Sequence, residues 1–272
     1  RGAAERNHLM SQPNQRDALV SLGGAAAVLA GLIWLVLTPF MATIWICDPV
    51  CVDWAAQPLI VRTVGRFLAD RGAFTFADAY GVYFAYGRYF PLVYLGLVLG
   101  LAALHRQQAQ AAGGVGPALR WSYRAALTGL ALSGLGDFAS YVLGAWSQAA
   151  WSVGFGVEVF AWLVAVPGLL AYGAFTLRRG VLPRWVGWAV VAAGAGVPLG
   201  FLDLTLVRYM PNSQLLLAAA AFTALGVFLL RVARGRPAAC TGLDTFEPRA
   251  QEHEVEAHPL AREGAEAGGR LA

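Results

Sequence analysis

Four ionisable side chains lie in stretches of sequence that are otherwise apolar: Arg88, Asp137, Glu158 and Asp203. A lone charge at bilayer depth costs about 2.5–3.5 kcal/mol even on a lenient insertion scale, so such residues face inward and mark ion, proton or ligand sites by default. Arg88 falls about ten residues into one apolar segment, Asp137 about ten from the end of the next and Glu158 about seven into a third, with Asp203 near the end of a fourth; at 1.5 Å per residue these depths are similar. Arg88 is therefore expected to pair with Asp137 or Glu158, leaving at least one acid without a cationic partner. The four residues form the candidate ligand- or ion-binding set. The competing reading is a polar network that only holds helices in register.

Other chemistry-bearing residues are sparse. Cys47 and Cys51 flank Asp48-Pro49-Val50 and are a disulfide candidate if that segment faces an oxidising compartment. A redox role is the alternative, as in quinone-linked thiol oxidoreductases. Those proteins carry a C-x-x-C at a helix end and a second cysteine pair, whereas this chain has C-x-x-x-C and only Cys240 besides. The histidines, His8, His105, His253 and His258, are all expected outside the membrane segments, which argues against haem held between paired histidines and against Ser-His catalysis. The chain has no lysine, so Schiff-base chemistry is excluded. It has no zinc-finger spacing and no P-loop, and no metal or cofactor is expected.

The elements that must position these residues are read from composition. Apolar residues make up 58% of the 272 and charged residues 13%, too little polar surface for a water-soluble globule of this length. Six apolar segments approach the length needed to cross hydrocarbon: 18–45, 79–104, 124–146, 151–177, 184–207 and 213–231. With no water to satisfy the backbone, each is expected to be helical. The first is too long for a signal peptide and is expected to remain as a helix. The fold class is thus all-α, a six-transmembrane-helix bundle over 18–231. A segment at 1–17 precedes it, and an acidic tail at 232–272 is expected to be disordered. Between the first two spans, Leu59, Ile60, Thr63, Val64, Phe67 and Leu68 recur at helical spacing opposite Arg62, Arg66 and Asp70. This pattern predicts an amphipathic helix on the outer surface.

Arginine bias orients the bundle. Arg106, Arg120 and Arg124, then Arg178, Arg179 and Arg184, then Arg231, Arg234 and Arg236 lie in loops without acids, whereas the opposite loops mix Arg62, Arg66, Arg71 and Arg208 with Asp48, Asp53 and Asp70. By the positive-inside rule the first set is cytoplasmic, which places both termini in the cytoplasm and the four intramembrane charges in the outer half. The net charge of +4 comes from these topology signals, so no nucleic-acid partner is expected.

In the third segment Gly129, Ser133, Gly136, Ser140 and Gly144 permit close helix packing, as do Gly96 and Gly100 in the second. The third helix is therefore expected at the centre of the bundle, with Asp137 inside.

Gly134-Leu135-Gly136-Asp137 resembles the G-x-G-D motif of intramembrane aspartyl proteases and prepilin peptidases, in which two membrane aspartates act as general acid and base. The partner aspartate has no clear counterpart, since the second segment offers only Asp78 at its edge. The stretch from Arg178 to Trp188 resembles the loop-to-helix junction of many small bacterial multi-span proteins without defined activity, which implies a bacterial cytoplasmic membrane. The function expected first is non-enzymatic binding of a small or lipophilic ligand, a proton or cation, or a partner at the outer polar cluster, as in a sensor, minor transporter or accessory subunit. The alternatives are a membrane enzyme using Asp137 and Glu158, or a structural subunit of a membrane complex. The topology predicts that reporter fusions after residues 112, 180 and 240 all read cytoplasmic; an external signal at any of them contradicts it.

Overall fold

Deprived of water, a peptide group must bond within its own segment, and the computed structural model shows that outcome. The structure describes residues 18–46, 84–202 and 213–235. They form α1 (Ala18–Ile46), α2 (Phe90–Ala111), α3 (Pro117–Asp137), a π-helical turn (Phe138–Leu143), α4 (Gln148–Arg179), α5 (Arg184–Leu202) and α6 (Ser213–Ala233), with no strand among the described residues. Among the described residues five stretches are long and apolar enough to cross a membrane: Ala18–Thr38, Phe84–Ala111, Pro117–Leu143, Gln148–Arg179 and Leu216–Ala233. The remaining helix, α5, is 19 residues long and begins at Arg184. The segment 1–17, the surface helix expected around 59–70, Cys47, Cys51, Asp203 and the tail beyond 235 lie outside the described residues.

Each helix packs on its neighbour in sequence, and α1 also packs on α6, which closes the ring. One end of the bundle carries Arg120, Arg178, Arg179 and Arg184, and is termed the arginine end; the turn at 144–147 marks the other. Local signals explain where the helices stop. Pro117 occupies the first turn of α3, where its missing N–H costs nothing. Ser147 caps α4 by accepting from the Ala150 N–H at 3.3 Å. Gly180 ends α4 in the left-handed conformation at φ 62°, which glycine adopts without a Cβ clash. Hydroxyls of Thr38, Thr176 and Thr223 each donate at 2.8 Å to the carbonyl four residues back, which removes three donors from the apolar surroundings.

Two helices run past the apolar stretches that announced them. α2 continues to Ala111 through His105, Gln107, Gln108 and Gln110, and α3 begins at Pro117, seven residues before the expected 124. Gln and Arg are good helix formers, so the backbone ladder propagates beyond the hydrophobic limit. His105 consequently lies within a membrane-length helix, contrary to the expectation that no histidine does.

The expected central role of α3 is also corrected. α2 touches α1, α3 and α6, and reaches α4 through paired hydrogen bonds between Gln108 and Thr176 at 3.2 and 3.3 Å. Its most apolar window is 56% buried, against 44% for α3. Gly96 and Gly100 account for this position by letting α2 settle onto Ala26, Ala27 and Ala30 of α1.

α3 instead forms the tightest pair with α4. A methyl group on Gly129 would stand 2.6 Å from Ala165 Cα, and one on Gly136 2.8 Å from the Glu158 nitrogen and 2.9 Å from the Gly154 carbonyl. Those distances forbid any side chain larger than hydrogen without moving backbone. Gly136→Leu should therefore destabilise the folded protein by about 1–3 kcal/mol, as overpacking does. Unfolding of the detergent-solubilised protein measures this, and an unchanged midpoint contradicts the packing.

Candidate functional site

The close contact of α3 and α4 places two carboxyls together. Asp137 ends α3 and is 1% exposed. Glu158 lies half-buried on α4, opposite Gly136. The two carboxyls are within hydrogen-bonding reach of one another. The Asp137 Oδ1 atom has no hydrogen-bond partner among the described residues.

A π-helical turn follows Asp137 directly, with the Gly144 N–H donating at 2.8 Å to Ala139, five residues back. Such insertions are rare and concentrate at functional sites. Here the wider turn faces Gly154: a methyl there would lie 2.6 Å from both the Gly136 carbonyl and Ser140 Oγ. Ser140 is buried and donates weakly to the Trp151 carbonyl at 3.4 Å.

Aromatic residues from three helices surround the acids. Trp162, four residues after Glu158 and hence on the same face of α4, is within hydrogen-bonding reach of Glu158 and of the Tyr94 hydroxyl. Tyr94 of α2 meets Trp162 edge-on at 5.8 Å between ring centroids and Trp34 of α1 at 6.1 Å. Ser133, one turn below Asp137, lies near Tyr94 but makes no aligned hydrogen bond, and the Trp34 indole N–H is likewise unpaired. All of Trp34, Tyr94, Ser133 and Trp162 are buried.

Of the four expected charges, the structure brings together Asp137 and Glu158. Arg88 does not join them. It falls in the turn between the short helical stretch 84–87 and α2, because Pro91 starts a new helix there, and it is exposed. Its Nη2 donates to the Tyr89 hydroxyl at 3.3 Å, and the guanidinium lies 5.2 Å from that ring's centroid. The expected ion pair is thus replaced by an aromatic contact. Asp203 lies outside the described residues.

The sequence did not mark Ser133, Trp34, Tyr94 and Trp162 as neighbours of the acids, for different reasons. Ser133 and Trp162 each stand four residues from an acid on the same helix, a spacing that could have found them. Trp34 and Tyr94 come from other helices, and nothing local marks them.

Comparison with protein-family models, with curated proteins and with solved structures finds no match to this chain. Over the described residues, the fold and the site define an all-helical protein with several membrane-length helices and a pair of acids, one buried and one half-buried.

The Arg88 geometry gives a direct test. Truncating an exposed side chain without a buried partner changes stability by less than about 0.5 kcal/mol. Arg88→Ala should leave the melting temperature in detergent within that margin, while a large drop would restore Arg88 as the counter-ion of the acids.

Proposed function

We propose that the protein is a six-span integral membrane protein that holds a proton or small cation at the Asp137–Glu158 pair, as a sensor, minor transporter or accessory subunit rather than an enzyme. α5 supplies the sixth span, since it packs between α4 and α6 as its neighbours pack on theirs. Both termini face the cytoplasm by the arginine bias, and the acid pair then stands in the outer half of the membrane, which the resemblance of the Arg178–Trp188 stretch makes a bacterial one.

The observation that carries this reading is the meeting of two carboxyls, one buried and one half-buried, at a place that no arginine among the described residues reaches. Arg88, the one arginine at that end among the described residues, is engaged with Tyr89. Two carboxylates side by side in a medium of low dielectric repel, and a single proton or cation between them removes the repulsion. The surroundings fit a positive occupant. Among the described residues the Oδ1 of Asp137 is an acceptor left unused. Two carboxyls that hydrogen-bond to one another need one proton between them, which is the simplest positive occupant.

A proton held by the pair has its own signature. Infrared spectra of the purified protein at neutral pH should contain a carboxylic-acid carbonyl band that exchanges slowly in deuterated water. Asp137→Asn and Glu158→Gln should each shift or remove it. A wild-type spectrum without the band, or one that neither substitution alters, contradicts the proposal.

A further inference from the structure

Five buried side-chain polar atoms among the described residues lack a hydrogen-bond partner, and they fall into two groups. Trp34 Nε1, Ser133 Oγ and Asp137 Oδ1 surround the acid pair; His105 Nδ1 and Tyr172 OH lie towards the arginine end. An unmade buried hydrogen bond costs about 1–3 kcal/mol, so a fold that concentrates such costs at two places has a use for them or fills them with water.

The second group is built by α2, α3 and α4, which also contribute to the first alongside Trp34 of α1. His105 of α2 stacks on Tyr123 of α3 at 3.8 Å between centroids and 2° between planes, and Tyr172 of α4 tilts against both at 5.9 and 6.1 Å. Tyr172 is 0% exposed. One turn further on, Gln108 and Thr176 close the group with their mutual hydrogen bonds.

The groups are also in helical register. His105 is eleven residues from Tyr94, Tyr123 fourteen from Asp137, and Tyr172 fourteen from Glu158. At 3.6 residues per turn, each interval returns to nearly the same face after about three or four turns, a separation of about 16–21 Å. Between them lie Leu97, Leu101, Ala126, Leu130, Ala165 and Leu169, each 1% exposed or less.

We propose that His105, with Tyr172 and Tyr123, is the inner proton-binding station of a path whose outer station is the Asp137–Glu158 pair, and that the substrate moved is the proton. This rests on the reading of the acid pair as a proton site. Chains of Asp, Glu and His inside a membrane mark proton relays, and imidazole is the side chain that most readily gains and loses a proton near neutrality. The groups facing His105 suit that role. α3 presents Tyr123 and Arg120, and α4 presents Tyr172. Of the other helices packed on α2, the described part of α1 has no titratable side chain, and α6 has only Arg231 at its end. The apolar layer between the stations blocks the path when dry and conducts only when water enters, as hydrophobic constrictions do.

The test uses the full-length protein in phospholipid vesicles that contain a pH-sensitive dye, with a potassium gradient and valinomycin setting the membrane potential. Wild-type vesicles should change internal pH faster than protein-free vesicles. His105→Phe keeps a ring on Tyr123 but removes both ring nitrogens, and should slow the flux on the order of a hundredfold, the scale of a lost proton-transfer group. Tyr172→Phe, which deletes only the unpaired hydroxyl, should slow it too, and it carries the test alone if the histidine variant does not fold. Wild-type flux no faster than protein-free vesicles overturns the path. So does full flux in both variants when Asp137→Asn abolishes it. The infrared band, read on the same preparations, separates the two claims. A band without flux leaves the acid pair standing and removes the path, whereas absence of the band removes the acid-pair reading itself.

Discussion

The contact between α3 and α4 is the constraint on which the rest depends. In lipid the hydrophobic effect gives helices no reason to associate, so association rests on close packing and on polar groups that find one another. Gly129, Gly136, Gly154 and Ala165 supply the closeness, and Asp137 and Glu158 the polar contact. The two reinforce each other. The acids meet because a backbone without a side chain lets Glu158 approach. The π turn that follows Asp137 extends the same contact towards Ser140 and Trp151.

Around this seam the remaining helices serve as walls. α2 lies inside, held to α1 by Gly96 and Gly100 and to α4 by Gln108 and Thr176. It therefore contributes to both polar groups, Tyr94 to one and His105 to the other. α1 reaches the acid pair through Trp34 alone, while α5 and α6 complete the ring without adding a charge near either group among the described residues. Both polar groups thus centre on the interface of α2, α3 and α4.

Much of this was legible in the chain. The helical class followed from the solvent: apolar stretches of this length can only be helices. Asp137 and Glu158 announced themselves because a carboxyl in an apolar run has few places to go, and similar depth brought them into one candidate set, although the pairing expected there was with Arg88. What stayed hidden depended on positions where local rules compete. Pro91 restarts α2 and so moves Arg88 from mid-span to an exposed turn, although the apolar run passes through both. Polar residues continue α2 past residue 104, which brings His105 inside a helix that composition alone would have ended. The small-residue pattern in α3 was read correctly as a packing face, but packing against one neighbour looks the same in sequence as burial among several. The meeting of Trp34 and Tyr94 from separate helices has no local signature at all.

The central claim is that Asp137 and Glu158 act as a pair, and a double-mutant cycle on folding stability tests it most directly. Asp137→Asn, Glu158→Gln and the double variant would be compared by reversible unfolding in mixed micelles. Residues in one hydrogen-bonded network show interaction energies of about 0.5–3 kcal/mol, and the account predicts a value in that range. Additivity of the two substitutions, with no interaction energy beyond error, would contradict it.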